Sequence, residues 1–192
     1  MNKVVLKSVL ITLASLAAAA VLVFVLWLFC APQSMATACE KTGNYSFAVT
    51  CANLRYKKTG DIYDLARCAE DGILSGKDKH IKEYCYKLVS EEEFSALCID
   101  KDEKLSNGGY GAHTVNYRAY ICGHLAAAQY RGGDLTSALQ SVHTGGTQSY
   151  TRLVSEIIQK NDKPSAESVI AELEKAEQNQ DVKNLIALLK KI

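Results

Sequence analysis

The chain opens on one unbroken apolar run and then changes to short segments in which apolar and polar positions alternate with helical spacing. From Ser8 to Cys30 there is no charged residue: SVLITLASLAAAAVLVFVLWLFC. At ~1.5 Å per residue this run crosses the ~30 Å hydrocarbon layer of a bilayer. A charge buried there would be costly, and the run has none. Trp27 lies near its far end, where an amphipathic ring suits the interface. The pattern predicts a transmembrane helix over 8–30, a short N-terminal tail over 1–7 and a linker over 31–44.

Beyond the linker the apolar positions recur at helical period. A helix over Tyr45–Lys58 carries Ala48, Cys51, Ala52 and Leu54. Thr59-Gly60-Asp61 ends it, with Gly60 suited to a helix end and Asp61 to an N-cap. Ile62, Leu65, Ala66, Ala69 and Ile73 form the next stripe, and Ser75-Gly76 breaks it. A third helix over Lys77–Val89 presents Ile81, Tyr84, Cys85 and Leu88. Ser90 and Glu93 have capping-box spacing ahead of Phe94, Leu97 and Cys98. Asn107-Gly108-Gly109 marks a loop, followed by a longer helix over Ala112–Tyr130 and a turn at Gly132-Gly133-Asp134. Leu135, Ala138, Leu139 and Val142 make the stripe after that turn. Three more follow: Leu153–Ile158, Val169–Leu173 behind Pro164, and Val182–Leu189 behind Asp181. No segment sustains period-two alternation, so the expected fold class is all-α, without a sheet.

The leading charges orient the anchor. Lys3 and Lys7 precede the run, and Glu40 and Lys41 are the first charges after it. The positive-inside rule then puts the N-terminus in the cytoplasm and the domain on the extracytoplasmic side of a single-pass membrane protein. The rival reading is a cleaved signal peptide, because Ala36-Thr37-Ala38 is an A-x-A site just before Cys39. The apolar run is longer than the ~7–15 residues usual for a signal sequence, which favours a retained signal-anchor. Whole-chain charge is nearly balanced, 22 Lys+Arg against 21 Asp+Glu. There is no basic cluster beyond Lys190 and Lys191, so nucleic acid is not an expected partner. Two prolines only, Pro32 and Pro164, leave room for long helices.

Two stretches share a design: ANLRYKKTGDIYDLARCAEDGI (Ala52–Ile73) and HLAAAQYRGGDLTSALQSVHTG (His124–Gly145). Both resemble tetratricopeptide repeats. Gly60-Asp61 and Gly133-Asp134 match that family's turn between paired helices, and Ala138 matches the early small residue of the second helix. Leu65 departs from it; Gly72 and Gly145 occupy the later small position. Sel1-like repeats, another helix-pair array, share much of this pattern. The resemblance covers 45–145, with a degenerate repeat between the two turns, and implies an α-solenoid of stacked hairpins capped by helices over 146–192. It also implies peptide or protein recognition in a concave groove, which the register would line with Phe47, Leu54, Tyr120, Ala127 and Tyr130. The competing role of those side chains is to fill the hairpin core.

The residues offer no catalytic constellation. His80, His113, His124 and His143 make no zinc-protease spacing, and Cys122-Gly-His124 lacks a second ligand pair. Gly108-Gly109-Tyr110-Gly111 is glycine-rich but lacks the lysine of a phosphate loop. No cofactor or metal is expected, and a binding role is favoured over an enzyme. A secreted cysteine-bridged protein released after Ala38, or an enzyme subunit with a dispersed site, are the alternatives.

The cysteines have their own pattern. Cys51 and Cys68 flank Gly60 evenly, Cys68 and Cys85 flank Gly76-Lys77, Cys85 and Cys98 flank Glu91-Glu92, and Cys98 and Cys122 flank Tyr110. In antiparallel helices, residues equidistant from a turn lie at one height, so five helices would carry a common cysteine layer. Two roles fit that layer. In one the cysteines serve as small apolar residues for close packing; in the other Cys51 with Cys68 and Cys85 with Cys98 bridge in an oxidising compartment.

Overall fold

Proline, glycine and short capping side chains set where each helix stops. In a computed structural model of the protein, residues 3–106, 116–177 and 179–192 are described. Every regular element among them is helical, and they contain no strand. The Gly108–Gly111 loop, the Tyr110 midpoint and His113 lie outside the described residues.

Helix α1 spans Lys3–Cys30. Pro32 lacks an N–H and starts a new helix, α2 (Pro32–Lys41), one residue later. The segment expected to be a linker is therefore part of the fold: Met35, Ala36 and Cys39 form a buried stripe on α2. Thr42, Gly43 and Asn44 turn the chain, with Gly43 at φ +73°, and the Asn44 side chain caps α3 (Tyr45–Thr59). Gly60, left-handed at φ +66°, ends α3 as expected. Asp61 accepts from the Tyr63 N–H at 2.9 Å and opens α4 (Ile62–Leu74).

The third expected helix is three pieces in line: α5 (Asp78–His80), a wide π turn (Ile81–Cys85) and α6 (Tyr86–Val89). Ile81, Tyr84, Cys85 and Leu88 face the core, as their spacing predicts. Ser90 is not a capping-box residue. Its hydroxyl donates back to the Tyr86 carbonyl at 2.8 Å, and α7 (Phe94–Ser106) begins four residues later. Asn116 caps α8 (Tyr117–Arg131), and Asp134 caps α9 (Leu135–Gly145). A short 3-10 turn (Thr147–Ser149) leads to α10 (Tyr150–Lys160). Pro164 sits in the first turn of α11 (Lys163–Leu173). Asn179 caps α12 (Gln180–Leu189), with Asp181 in its first turn.

Consecutive helices pack together across these turns: α2 on α3, α3 on α4 and α8 on α9, while α10 lies on α8 and α12. Three apolar clusters result. The first joins Met35, Ala36 and Cys39 to Ala48 and Cys51, with Leu28 of α1 and Phe47 against them. The second runs from Val49 and Ala52 through Leu65, Leu88 and Phe94 to Ile121 and Leu125. The third holds Ala126 and Tyr130 with the last four helices. Gly145 allows the closest crossing in this last region. A methyl there would come within 2.5 Å of Cys122 Cβ and 2.7 Å of Ser149 Cβ.

Candidate functional site

The most unusual chemistry lies where α2, α3 and α4 meet, next to the end of α1. Arg67 of α4 reaches back to α2. Its Nε donates to Glu40 Oε1 at 2.6 Å, and its Nη2 donates to Thr37 Oγ1 at 2.7 Å. One helical turn further along α4 stands Asp71, 3% exposed. It lies within hydrogen-bonding reach of Glu40, yet its Oδ2 has no partner among the described residues. Burial raises the Asp71 pKa most, the Glu40 charge adds to this, Arg67 opposes it, and the result is about 7. One guanidinium thus serves two carboxyl groups, and Asp71 is the one that keeps a proton near neutrality. Beside this cluster Arg55 pairs with Asp64 at 2.8 Å, and Thr59 donates to the same carboxylate at 2.8 Å. Arg55 also meets Gln33 of α2. Polar bonds therefore tie α2 to both α3 and α4.

Two thiols stand against the carboxyl pair. Cys39 of α2 and Cys51 of α3 both belong to the first apolar cluster, and each perturbs the other. Burial pushes Cys51 up to about 11, helped by the neighbouring Cys39. Burial also raises Cys39, while its contact with Cys51 pulls the other way. Cys68 is pushed to about 12 by burial and by Asp71.

The expected partners Cys51 and Cys68 fall in different apolar clusters. Cys51 shares a cluster with Cys39 and not with Cys68, because α3 has two buried faces: Ala48 and Cys51 meet α2, whereas Val49 and Ala52 meet the second cluster. Cys68, Cys85, Cys98 and Cys122 do share that second cluster, but Cys51 is absent from it. There Cys122 neighbours both Cys85 and Cys98. Burial holds Cys122 near 12 and Cys98 near 11, and raises Cys85 as well. All seven cysteines are free thiols.

The five residues expected to line a groove do not come together. Ala127 is 0% exposed and Tyr130 5%, so both are core side chains. Tyr130 anchors the third cluster and donates from its hydroxyl to Asp162 at 2.8 Å. Phe47 packs on the first cluster and stacks on Phe24 of α1, ring centroids 6.0 Å apart. Tyr120 packs against the second, its ring edge-on to His124. Leu54 is half-buried on α3. The register of the resemblance orders residues along a helix but leaves its rotation open, and neighbours on two sides consume these faces.

The Arg67–Glu40–Asp71 cluster was not read from the sequence. Its signal was there: Pro32 as a helix start, then Met35, Ala36 and Cys39 at helical spacing. An open hollow of about 470 Å³ lies where α1 meets α2, lined by Trp27, Gln33, Ser34, Thr37, Ala38 and Lys41. Trp27 Nε1 donates across it to Ser34 Oγ at 3.3 Å. Comparison with protein-family models, curated proteins and solved structures gives no match.

Proposed function

We propose that this chain is a single-pass membrane protein whose helical-hairpin domain, related in design to tetratricopeptide or Sel1-like arrays, holds a protein or peptide partner close to the extracytoplasmic face. The observation that carries the reading is α1. It is the one described helix long and apolar enough to cross a membrane, with a mean hydropathy of 2.8 over Lys7–Cys30. Its side chains stand outside the folded domain: Ile11 is 66% exposed and Val23 64%. That surface matches a lipid environment and is costly in water. Trp27 and Lys41 at its domain end have the chemistry of an interfacial belt.

Retention of the helix is favoured over release after Ala38. That cut would remove Met35 and Ala36 from the first cluster, at 3% and 0% exposure, and would take Thr37 from Arg67. The domain depends on residues upstream of the cleavage site.

A binding role is favoured over catalysis because burial raises the pKa of the six buried thiols, the opposite of an activated nucleophile. Tethering raises local concentration, so modest affinity suffices for a partner. With Ala127 and Tyr130 in the core, the most exposed large apolar side chains on the domain, Leu74, Tyr86 and Ile99, are its contact candidates. The test has two readings. The full-length mass should survive carbonate extraction in the membrane fraction, and a photo-crosslinker at Tyr86 or Ile99 should trap a specific protein. A mature chain starting at Cys39 would overturn the anchor; uncrosslinked chain at both positions would overturn the contact surface.

A further inference from the structure

We propose that Cys39 and Cys51 are a bridging pair, oxidised to a disulfide that fastens α2, and with it the apolar helix, to α3. The location of this reaction rests on the extracytoplasmic placement proposed above; the pairing itself rests on geometry.

The geometry is that of a tight helical hairpin. Only Thr42, Gly43 and Asn44 separate α2 from α3, and the Asn44 N–H donates to the Cys39 carbonyl at 2.8 Å. Each helix offers the same short face, Ala36 and Cys39 on α2, Ala48 and Cys51 on α3. Both alanines are 0% exposed. Small side chains make up four of the five buried members of this cluster, with Met35 of α2 the fifth, which suits close approach of the two helices. The two thiols share one buried cluster across this hairpin, and closing the bridge requires Cα atoms about 4.4–6.8 Å apart. Of the other cysteines, Cys68, Cys85, Cys98 and Cys122 sit in a separate cluster, and Cys30 is exposed on α1. None of them is an equal competitor for Cys51.

The oxidant is a thiol–disulfide oxidoreductase or a small-molecule disulfide. Cys39 is the more accessible sulfur, 9% exposed against 0% for Cys51, and lies in the last turn of α2. It loses its proton and attacks the oxidant's disulfide, giving a mixed disulfide and one released thiol. Cys51 loses its proton and displaces the second oxidant thiol. Two electrons and two protons leave the protein, one S–S bond forms in it, and the oxidant's disulfide is reduced to two thiols.

The linkage encloses Lys41, so mapping is direct. Full-length protein is taken from its native membrane with free thiols alkylated at lysis, then cut after Met35, Lys41 and Arg55. The expected product is Ala36–Lys41 joined to Thr42–Arg55, released on reduction. A second arm places purified full-length chain, in detergent, in a glutathione disulfide buffer. The joined fragments should form there too and be lost entirely in Cys39→Ser, whose helical circular dichroism should match the parent. A bridge in both arms supports the pairing and the outside location. A bridge in the glutathione arm alone supports the pairing and overturns the location. Free, alkylated Cys39 and Cys51 in both arms, or a bridge from Cys51 to Cys68, overturns the proposal.

Discussion

Arg67 and Glu40 join the domain to the helix that follows its apolar segment, with Nε 2.6 Å from Oε1. The pair is half-shielded, at 21% and 29% side-chain exposure, and its importance comes from what stands behind it. Asp71 is buried with one carboxyl oxygen unpartnered. A second negative charge there would compete with Glu40 for a single guanidinium. The interface between α2 and α4 is thus sensitive to one proton and to one arginine.

The proton gives a pH dependence with a definite sign. Asp71 is raised from 3.8 to about 7 by burial and then by Glu40, so the folded state binds the proton more tightly than the unfolded chain. Its stabilisation is complete below pH ~4 and is lost as pH rises to about 7. Thermal melts of the full-length protein should fall across that interval, by at most ~1.4 kcal/mol per pH unit from this group. Asp71→Asn should flatten the slope. Emission of Trp27, the single tryptophan, reports α2 directly through Ser34. Parallel pH slopes for the two proteins would remove Asp71 from the account.

Removing the cation should be worse than removing the acid. Arg67→Ala leaves Glu40 and Asp71 facing each other and strips Thr37 of its donor. A loss of about 1–3 kcal/mol is expected for a partly buried pair of this kind. Adding Asp71→Asn should restore part of it, because the repulsion disappears. Denaturant midpoints of the two single variants and the double variant measure the coupling; strictly additive losses would refute it.

Gly145 and Gly72 separate close packing from mere helix composition. A Cβ at Gly145 would lie 2.5 Å from Cys122 Cβ, whereas at Gly72 the nearest atoms are 3.4 Å away on His80. Gly145→Ala should cost about 1–3 kcal/mol through overpacking. Gly72→Ala should be milder, since the contact is near ordinary distance and alanine favours helix. Equal melting temperatures for the two variants would contradict the crossing described for α8 and α9.

The apolar helix is tested by charge. Ala18→Arg and Val23→Arg each place a cation in the uncharged run, at about 2.5–3.5 kcal/mol on insertion scales. The double variant should shift from the carbonate-resistant to the soluble fraction. Unchanged partitioning would show that this helix is not what holds the protein to membranes.

Much of the local structure is determined by the sequence alone. Gly60 ends α3 because a left-handed residue is needed there; Asp61, Asn116 and Asp134 cap helices because their short side chains reach the free N–H groups; Pro164 opens α11 because it needs no N–H partner. The period of Ile81, Tyr84, Cys85 and Leu88 marks a core face whichever helix covers it. The lack of charge from Ser8 to Cys30 marks an apolar helix without reference to any neighbour. Tertiary structure decided what each face meets. Periodicity shows that Ala48, Cys51 and Ala52 are buried, but not that α3 presents two of them to α2 and the third to another cluster. That choice depends on helix rotation and on α2 folding back, so Cys51 shares a cluster with Cys39 instead of Cys68. The rotation of α8 likewise buries Ala127 and puts Tyr130 in the third cluster instead of along a groove. Asp71 reads as an ordinary helix-surface acid until Glu40, 31 positions earlier, is brought against it. A property that depends on such a distant approach is a property of packing, and no local pattern carries it.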